Sequence, residues 1–169
     1  MSDESELAFL GEEFLTWLWF RLEADGGEFT IDERHIGVAI DDLLAFAPRD
    51  GDETEQTLRK GFPIRAPEAR SALRTGHRLR RAKLIVADGE QQWTAIVDGP
   101  TLSLSSIKLP EDLEAEATTP RDRSTERISS FLELHDLVRG VYRVFLDDRL
   151  REDYAPTSGQ AQAQWMATA

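Results

Sequence analysis

The segment Phe14-Leu15-Thr16-Trp17-Leu18-Trp19-Phe20 is more than a one-sided surface helix needs. Across residues 4–23, Leu7, Leu10, Phe14, Trp17 and Arg21 follow 3–4 spacing on one face, and Ala8, Leu15, Trp19 and Leu22 follow it on another. A helix apolar on two faces is covered on two sides. It lies between a sheet and a second helix, or between a sheet and a second subunit. In the second arrangement Phe14, Trp17 and Trp19 form a homodimer interface, where buried aromatics supply much of the association energy. At helical spacing the same residues also read as core. Asp25-Gly26-Gly27 ends the helix, and the apolar run is far shorter than the ~20 residues that cross a bilayer.

Short alternating segments follow this helix. Phe29 and Ile31 share one face of a first strand, and Ile36, Val38 and Ile40 share one face of a second, with Asp32-Glu33-Arg34 as the turn. Leu43 to Ala47 continues the second strand past an irregularity at Asp41-Asp42, or forms another. Residues 48–53 read as a polar loop, and residues 56–62 as a further, weakly patterned strand. Pro67 opens a short helix that Gly76 closes, so that Arg70 and Arg74 project from one face. Residues 78–87 alternate as a strand with Leu79, Arg81, Lys83 and Ile85 on one side. Trp93, Ala95 and Val97 pattern the next strand, and Asp98-Gly99-Pro100 turns it into residues 101–109. After an acidic connector at 110–120, residues 124–153 form a second long helix. Its stripe is Ile128, Phe131, His135, Val138, Tyr142, Phe145 and Arg149, widened by Leu132, Val141 and Leu146. The expected fold is α+β: an antiparallel sheet of five to six strands, two long helices packed on one face, and one short helix. Residues 1–154 form one domain, and the Gln/Ala-rich residues 155–169 a mobile tail.

The net charge of −12 hides a strong asymmetry. Nine basic residues, Arg59, Lys60, Arg65, Arg70, Arg74, Arg78, Arg80, Arg81 and Lys83, stand against Glu68 alone in residues 59–83, a net +8 that leaves −20 on the other 144. Such a block is a footprint for a polyanion or an acidic partner protein, unless it pairs with the chain's own carboxylates. The pattern of residues 78–87 places its charges at one end, near the short helix, as a compact patch.

Catalytic chemistry has little foothold. The absence of cysteine removes disulfides, thiolate-bound zinc, iron–sulfur clusters and thiol catalysis, and no phosphate-binding glycine loop is present. His35, His77 and His135 lack metal-ligand spacing; His135 reads as a core or interface histidine despite the neighbouring Asp136. Asp41-Asp42 and Asp147-Asp148 are adjacent pairs, which diverge on a helix or strand instead of converging as a dyad. The expectation is a protein without enzymatic activity or cofactor. The acidic start Met1-Ser-Asp-Glu-Ser-Glu lacks the positive region of a secretory signal, which predicts a soluble cytoplasmic protein without membrane association.

Phe9-Leu-Gly-Glu-Glu-Phe-Leu-Thr-Trp-Leu-Trp-Phe-Arg-Leu-Glu23 resembles a helix of divergent members of the recombination-associated RdgC family, in which a Phe-Leu-Gly-x-x-Phe-Leu-x-Trp-Leu-Trp core recurs. Compatible features downstream are the stretch from Ala72-Leu73-Arg74-Thr75-Gly76 to Ala82-Lys83, the Trp93 strand, Lys108-Leu109-Pro110, and a last helix ending Phe145-Leu-Asp-Asp-Arg-Leu150. The resemblance implies a non-catalytic, nucleoid-associated protein that binds duplex DNA without sequence preference, forms a dimeric ring and restrains the recombinase RecA. Family members are longer, so the chain corresponds to part of one. The DNA contacts are assigned from charge clustering, to the nine basic residues of the block. The competing readings are an interaction module whose basic block docks an acidic protein, and an acidic inhibitor that mimics DNA.

Overall fold

The computed structural model describes residues 3–48, 54–111 and 119–169, with side chains from Leu10 onward. Most of the predicted polar loop and acidic connector lie outside the described residues. The chain is α+β, built on a six-stranded antiparallel sheet. Helix α1 (Asp3–Asp25) leads into strands β1 (Glu28–Ile31), β2 (Arg34–Phe46) and β3 (Gln56–Arg59). A 3-10 turn (Pro63–Arg65) and helix α2 (Pro67–Arg74) precede β4 (Leu79–Asp88), β5 (Gln91–Asp98) and β6 (Leu104–Lys108). Helix α3 (Pro120–Arg149), a π-helical turn (Ala155–Gly159) and helix α4 (Gln160–Thr168) complete the order.

Glycines make the exit from α1 possible. Gly26 and Gly27 both have positive φ, and a Cβ on Gly27 would lie 2.2 Å from the Val38 carbonyl oxygen. The chain can therefore enter the sheet directly, with the Val38 N–H donating to the Gly27 carbonyl at 2.8 Å. Asp32 and Glu33, both left-handed, form the two-residue turn from β1 to β2, the conformation that matches strand twist in tight hairpins.

The strands run β1-β2-β4-β5-β6, with β3 on the β2 edge that β1 occupies earlier along the strand. One sheet face carries Phe29, Ile31, Ile36, Val38, Leu44, Phe46, Ala82, Leu84, Val86, Trp93, Ala95 and Val97, all buried. Leu79 joins them, although simple alternation sets it on the opposite side from Ala82. The cause is a bulge: Phe46 pairs with Leu79 and Ala45 with Arg81, so Arg80 is an extra residue that resets the side-chain period.

Helix α1 is sealed from within the chain. Phe14 meets Tyr142 edge-on at 5.1 Å and Phe145 at 5.6 Å, while Trp17 meets Phe29 at 6.2 Å and Phe145 at 5.3 Å. Trp19 packs between Phe46 and Trp165. Phe14, Trp17 and Trp19 are at most 1% exposed, so these residues are core, and the expected dimer interface on them is corrected.

Helix α3 starts at Thr119, whose Oγ1 accepts from the Asp122 N–H, with Pro120 in the first turn. Its buried seam runs Ser130, Leu134, Leu137, Val138, Val141 and Phe145. Ser130 accepts a 2.8 Å hydrogen bond from the Trp93 indole in the interior. The predicted stripe joins this seam only in its second half. Ile128, Phe131 and Leu132 wind onto another flank and are exposed.

The expected mobile tail is corrected as well, since residues 155–169 fold back as the π-helical turn and α4. Trp165 sits 5.6 Å from the rings of both Trp19 and Phe20, and its indole donates to Glu23 at 2.6 Å. Glu23 also accepts from Trp19 and pairs with Arg70 of α2, so one carboxylate ties together α1, α2 and α4. Burial raises the Glu23 pKa, but hydrogen bonds from Arg70 and Trp165, the Arg70 charge and the Trp19 bond together hold it below its ordinary value.

Two outcomes are expected from this packing. A Cβ on Gly140 would lie 2.4 Å from Ile31 Cγ2, so Gly140→Ala should destabilise the fold by ~1–3 kcal/mol, read as a lower urea midpoint. A depressed carboxylate contributes stability that is complete above its unfolded pKa and lost as pH falls through the lower folded value. The drop in urea midpoint between pH 7 and pH 3.5 (roughly half a unit under the ordinary carboxylate range) should therefore be smaller in Glu23→Gln than in the native chain. An equal drop would remove Glu23 from the clasp.

Candidate nucleic-acid interface

Helices α1 and α3 cover one face of the sheet. On the other face, inter-strand pairing sets Lys83 beside Ile96, Ile85 beside Thr94, and Thr94 beside Lys108. These side chains, with Asp41, Asp42, Arg59 and Lys60, line a groove of about 560 Å³ floored by Ile85 and Ile96. Arg59 reaches it because β3 pairs Arg59 with Leu43. Lys60 follows, with its N–H donating to the Asp42 carbonyl at 2.8 Å.

The second irregularity of β2 shapes the chemistry here. Ile40 pairs with Leu84 and Leu44 with Ala82, so Asp41, Asp42 and Leu43 together stand against Lys83. Adjacent residues of a regular strand point to opposite faces, but this bulge turns both carboxylates toward one ammonium. Lys83 Nζ lies 3.1 Å from Asp41 Oδ2 and 3.1 Å from Asp42 Oδ1. The expected divergence of Asp41-Asp42 is thus corrected. Hydrogen bonds to Asp42 and Asp41, outweighing burial, raise the Lys83 pKa above its ordinary value, so this lysine stays charged throughout the neutral range.

The block of nine basic residues separates into different surroundings. Arg59, Lys60 and Lys83 share the groove. Arg70 pairs with Glu23 and lies 5.4 Å over the Trp19 ring, and Arg74 donates to the Ala169 carbonyl oxygen at 2.8 Å; both brace the α1–α4 side. Arg78 pairs with Glu12 at 3.3 Å, Arg80 lies 3.7 Å from Asp98, and Arg81 pairs with Glu55. Arg65 is exposed, with its guanidinium 5.7 Å from the Phe62 ring. The compact patch inferred from β4 alternation is therefore dispersed, because the Arg80 bulge and the ion pairs spread the charges. Among the described residues, five of the nine pair with the chain's own carboxylates: Arg70, Arg78, Arg80, Arg81 and Lys83.

The groove also gains a cation outside the sequence block. Lys108 stands far along the chain from Lys83, and only the pairing of β6 with β5 brings it across. The signal available in the sequence was the Trp93 hairpin, whose far strand ends on this lysine.

Among the described residues, no group of three His, Asp or Glu side chains is placed to hold a metal ion. His35 is exposed, Thr75 Oγ1 lies 2.9 Å from His77 Nδ1, and the half-buried His135 packs 4.7 Å from the Phe131 ring. No helix among the described residues is long and apolar enough to cross a membrane. No family model matches this chain, and no curated protein sequence matches it.

Proposed function

We propose that this chain is a non-catalytic protein that binds duplex DNA without sequence preference, holding phosphates on the helix-free face of its sheet. The observation that carries the reading is the convergence of Arg59, Lys60, Lys83 and Lys108 on one groove of a protein whose net charge is −12. The two aspartates offset part of that charge, leaving the groove with four cations and two carboxylates. Phosphate contacts give affinity through counterion release and carry no base information. The acidic remainder repels DNA elsewhere and confines contact to this face. A protein seated on duplex in this way competes with a recombinase for it, which is the role that the RdgC resemblance implies.

A second reading rests on α3, where Ile128, Phe131 and Leu132 are 61%, 39% and 56% exposed on one flank. The occupant that fits is a second copy of the chain. In an antiparallel pairing about a two-fold axis, Phe131 of each copy meets Leu132 of the other, giving a shared apolar centre.

Gel retardation on random duplex tests the first reading. About three or four phosphate contacts predict a roughly 40- to 150-fold loss of affinity between 50 and 200 mM salt. Lys60→Glu with Lys108→Glu should abolish retardation, whereas Arg74→Glu on the α4 side should leave it intact. Absence of retardation at ~50 mM salt rejects the reading. Light scattering tests the second: the native chain should have a dimer's mass, and Leu132→Glu a monomer's. A native monomer rejects it.

A further inference from the structure

Phe62 is 75% exposed, more than any other large apolar side chain among the described residues, yet its backbone is pinned on both sides. Lys60 and Gly61 both adopt left-handed conformations at the end of β3, with φ of 70° and 69°, and the Lys60 N–H is tied to the Asp42 carbonyl. Beyond Phe62, Pro63 is buried, and the Arg65 N–H donates to the Phe62 carbonyl at 2.9 Å. A fixed turn therefore presents an aromatic ring to solvent, which sets it apart from the buried rings of Phe14, Phe29, Phe46, Phe145, Trp17, Trp19 and Trp93.

The surroundings of this ring are cationic. Arg59 and Lys60, three and two positions before it, line the groove, and the Arg65 guanidinium lies 5.7 Å from the ring centroid. An aromatic face among phosphate-binding cations suits one ligand chemistry well: a nucleobase stacks on the ring while the phosphates flanking it meet the positive side chains. The groove floor, Ile85 and Ile96, provides no further ring, so the arrangement serves a single base and not a run of them. In an intact duplex each base is already stacked on its neighbours. The ring is useful where one base is unpaired and free to swing out.

We propose that Phe62 is the stacking contact for an unpaired nucleobase at the β3 end of the groove, so that the chain prefers duplex DNA carrying an unpaired base over perfect duplex. This rests on the phosphate-binding reading of the groove. The Phe62 ring supplies discrimination, and the groove supplies the sequence-independent affinity.

Fluorescence anisotropy on two labelled probes tests it: a perfect duplex, and the same duplex with one unpaired thymidine. At ~50 mM salt the native chain should bind the second probe roughly five- to 150-fold more tightly, the range that one base–aromatic stack provides. Phe62→Ala should lose this preference while keeping its affinity for perfect duplex, and Phe62→Trp should retain the preference. Equal, salt-sensitive binding of both probes by the native chain overturns this inference and leaves the groove reading standing. A preference that persists in Phe62→Ala overturns the assignment to Phe62. Failure to bind either probe overturns both.

Discussion

The burial of residues 14–19 of α1 on every side is the constraint from which the remaining architecture follows. Its two apolar faces carry Phe14, Trp17 and Trp19, three large rings that no single sheet surface can remove from water. The sheet takes one side, α3 takes a second through Tyr142 and Phe145, and α4 takes a third through Trp165. Each ring buried in this way is worth several times a typical surface interaction. This arrangement satisfies the aromatics inside one chain, and it commits all the long helices to one side of the sheet. Among the described residues the opposite sheet face is left free of helices, and the groove lies there.

The two irregularities of the β2–β4 ladder divide the work between the faces. At Arg80 the extra residue restores the core phase, so that Leu79 and Ala82 both point inward. At Asp41–Leu43 the extra residues lie opposite Lys83 and concentrate charge on the outward side. Both bulges belong to the same strand pair, and neither disrupts the sheet, because β2 continues through them to pair with β3. The pairing of Lys83 with two aspartates fixes an ammonium that would otherwise be a mobile surface side chain.

Local pattern made much of this legible before the fold was known. The Asp32-Glu33 hairpin, the Trp93 strand with its turn at Gly99, the Pro67 start of α2 and the interruption at Asp41-Asp42 all follow from alternation and turn chemistry. The α4 helix was hidden because its large apolar anchors are the adjacent Trp165 and Met166, and two adjacent residues create no period. Ala and Gln favour helix without announcing it. The basic block misled for a different reason: charge density along the chain is one-dimensional, whereas ion pairs such as Arg78–Glu12 and Arg81–Glu55 join segments remote in sequence. Lys108 illustrates the reverse case, a groove cation that becomes visible only once β6 has a register.

The way the sheet ends has a consequence for the chain in concentrated solution. On one side β2 is bordered by two separate strands of four residues each, β1 and β3. On the other, β6 is five residues long, is broken in register between Thr94 and Ile96, and carries a left-handed Ser106 before the charged Lys108. Among the described residues, neither border offers a long, regular row of free N–H and C=O groups on which another chain's strand could zip. A sheet with an uncovered face is thereby protected at its margins, and the molecule can expose that face to a ligand without inviting edge-to-edge growth into fibrils.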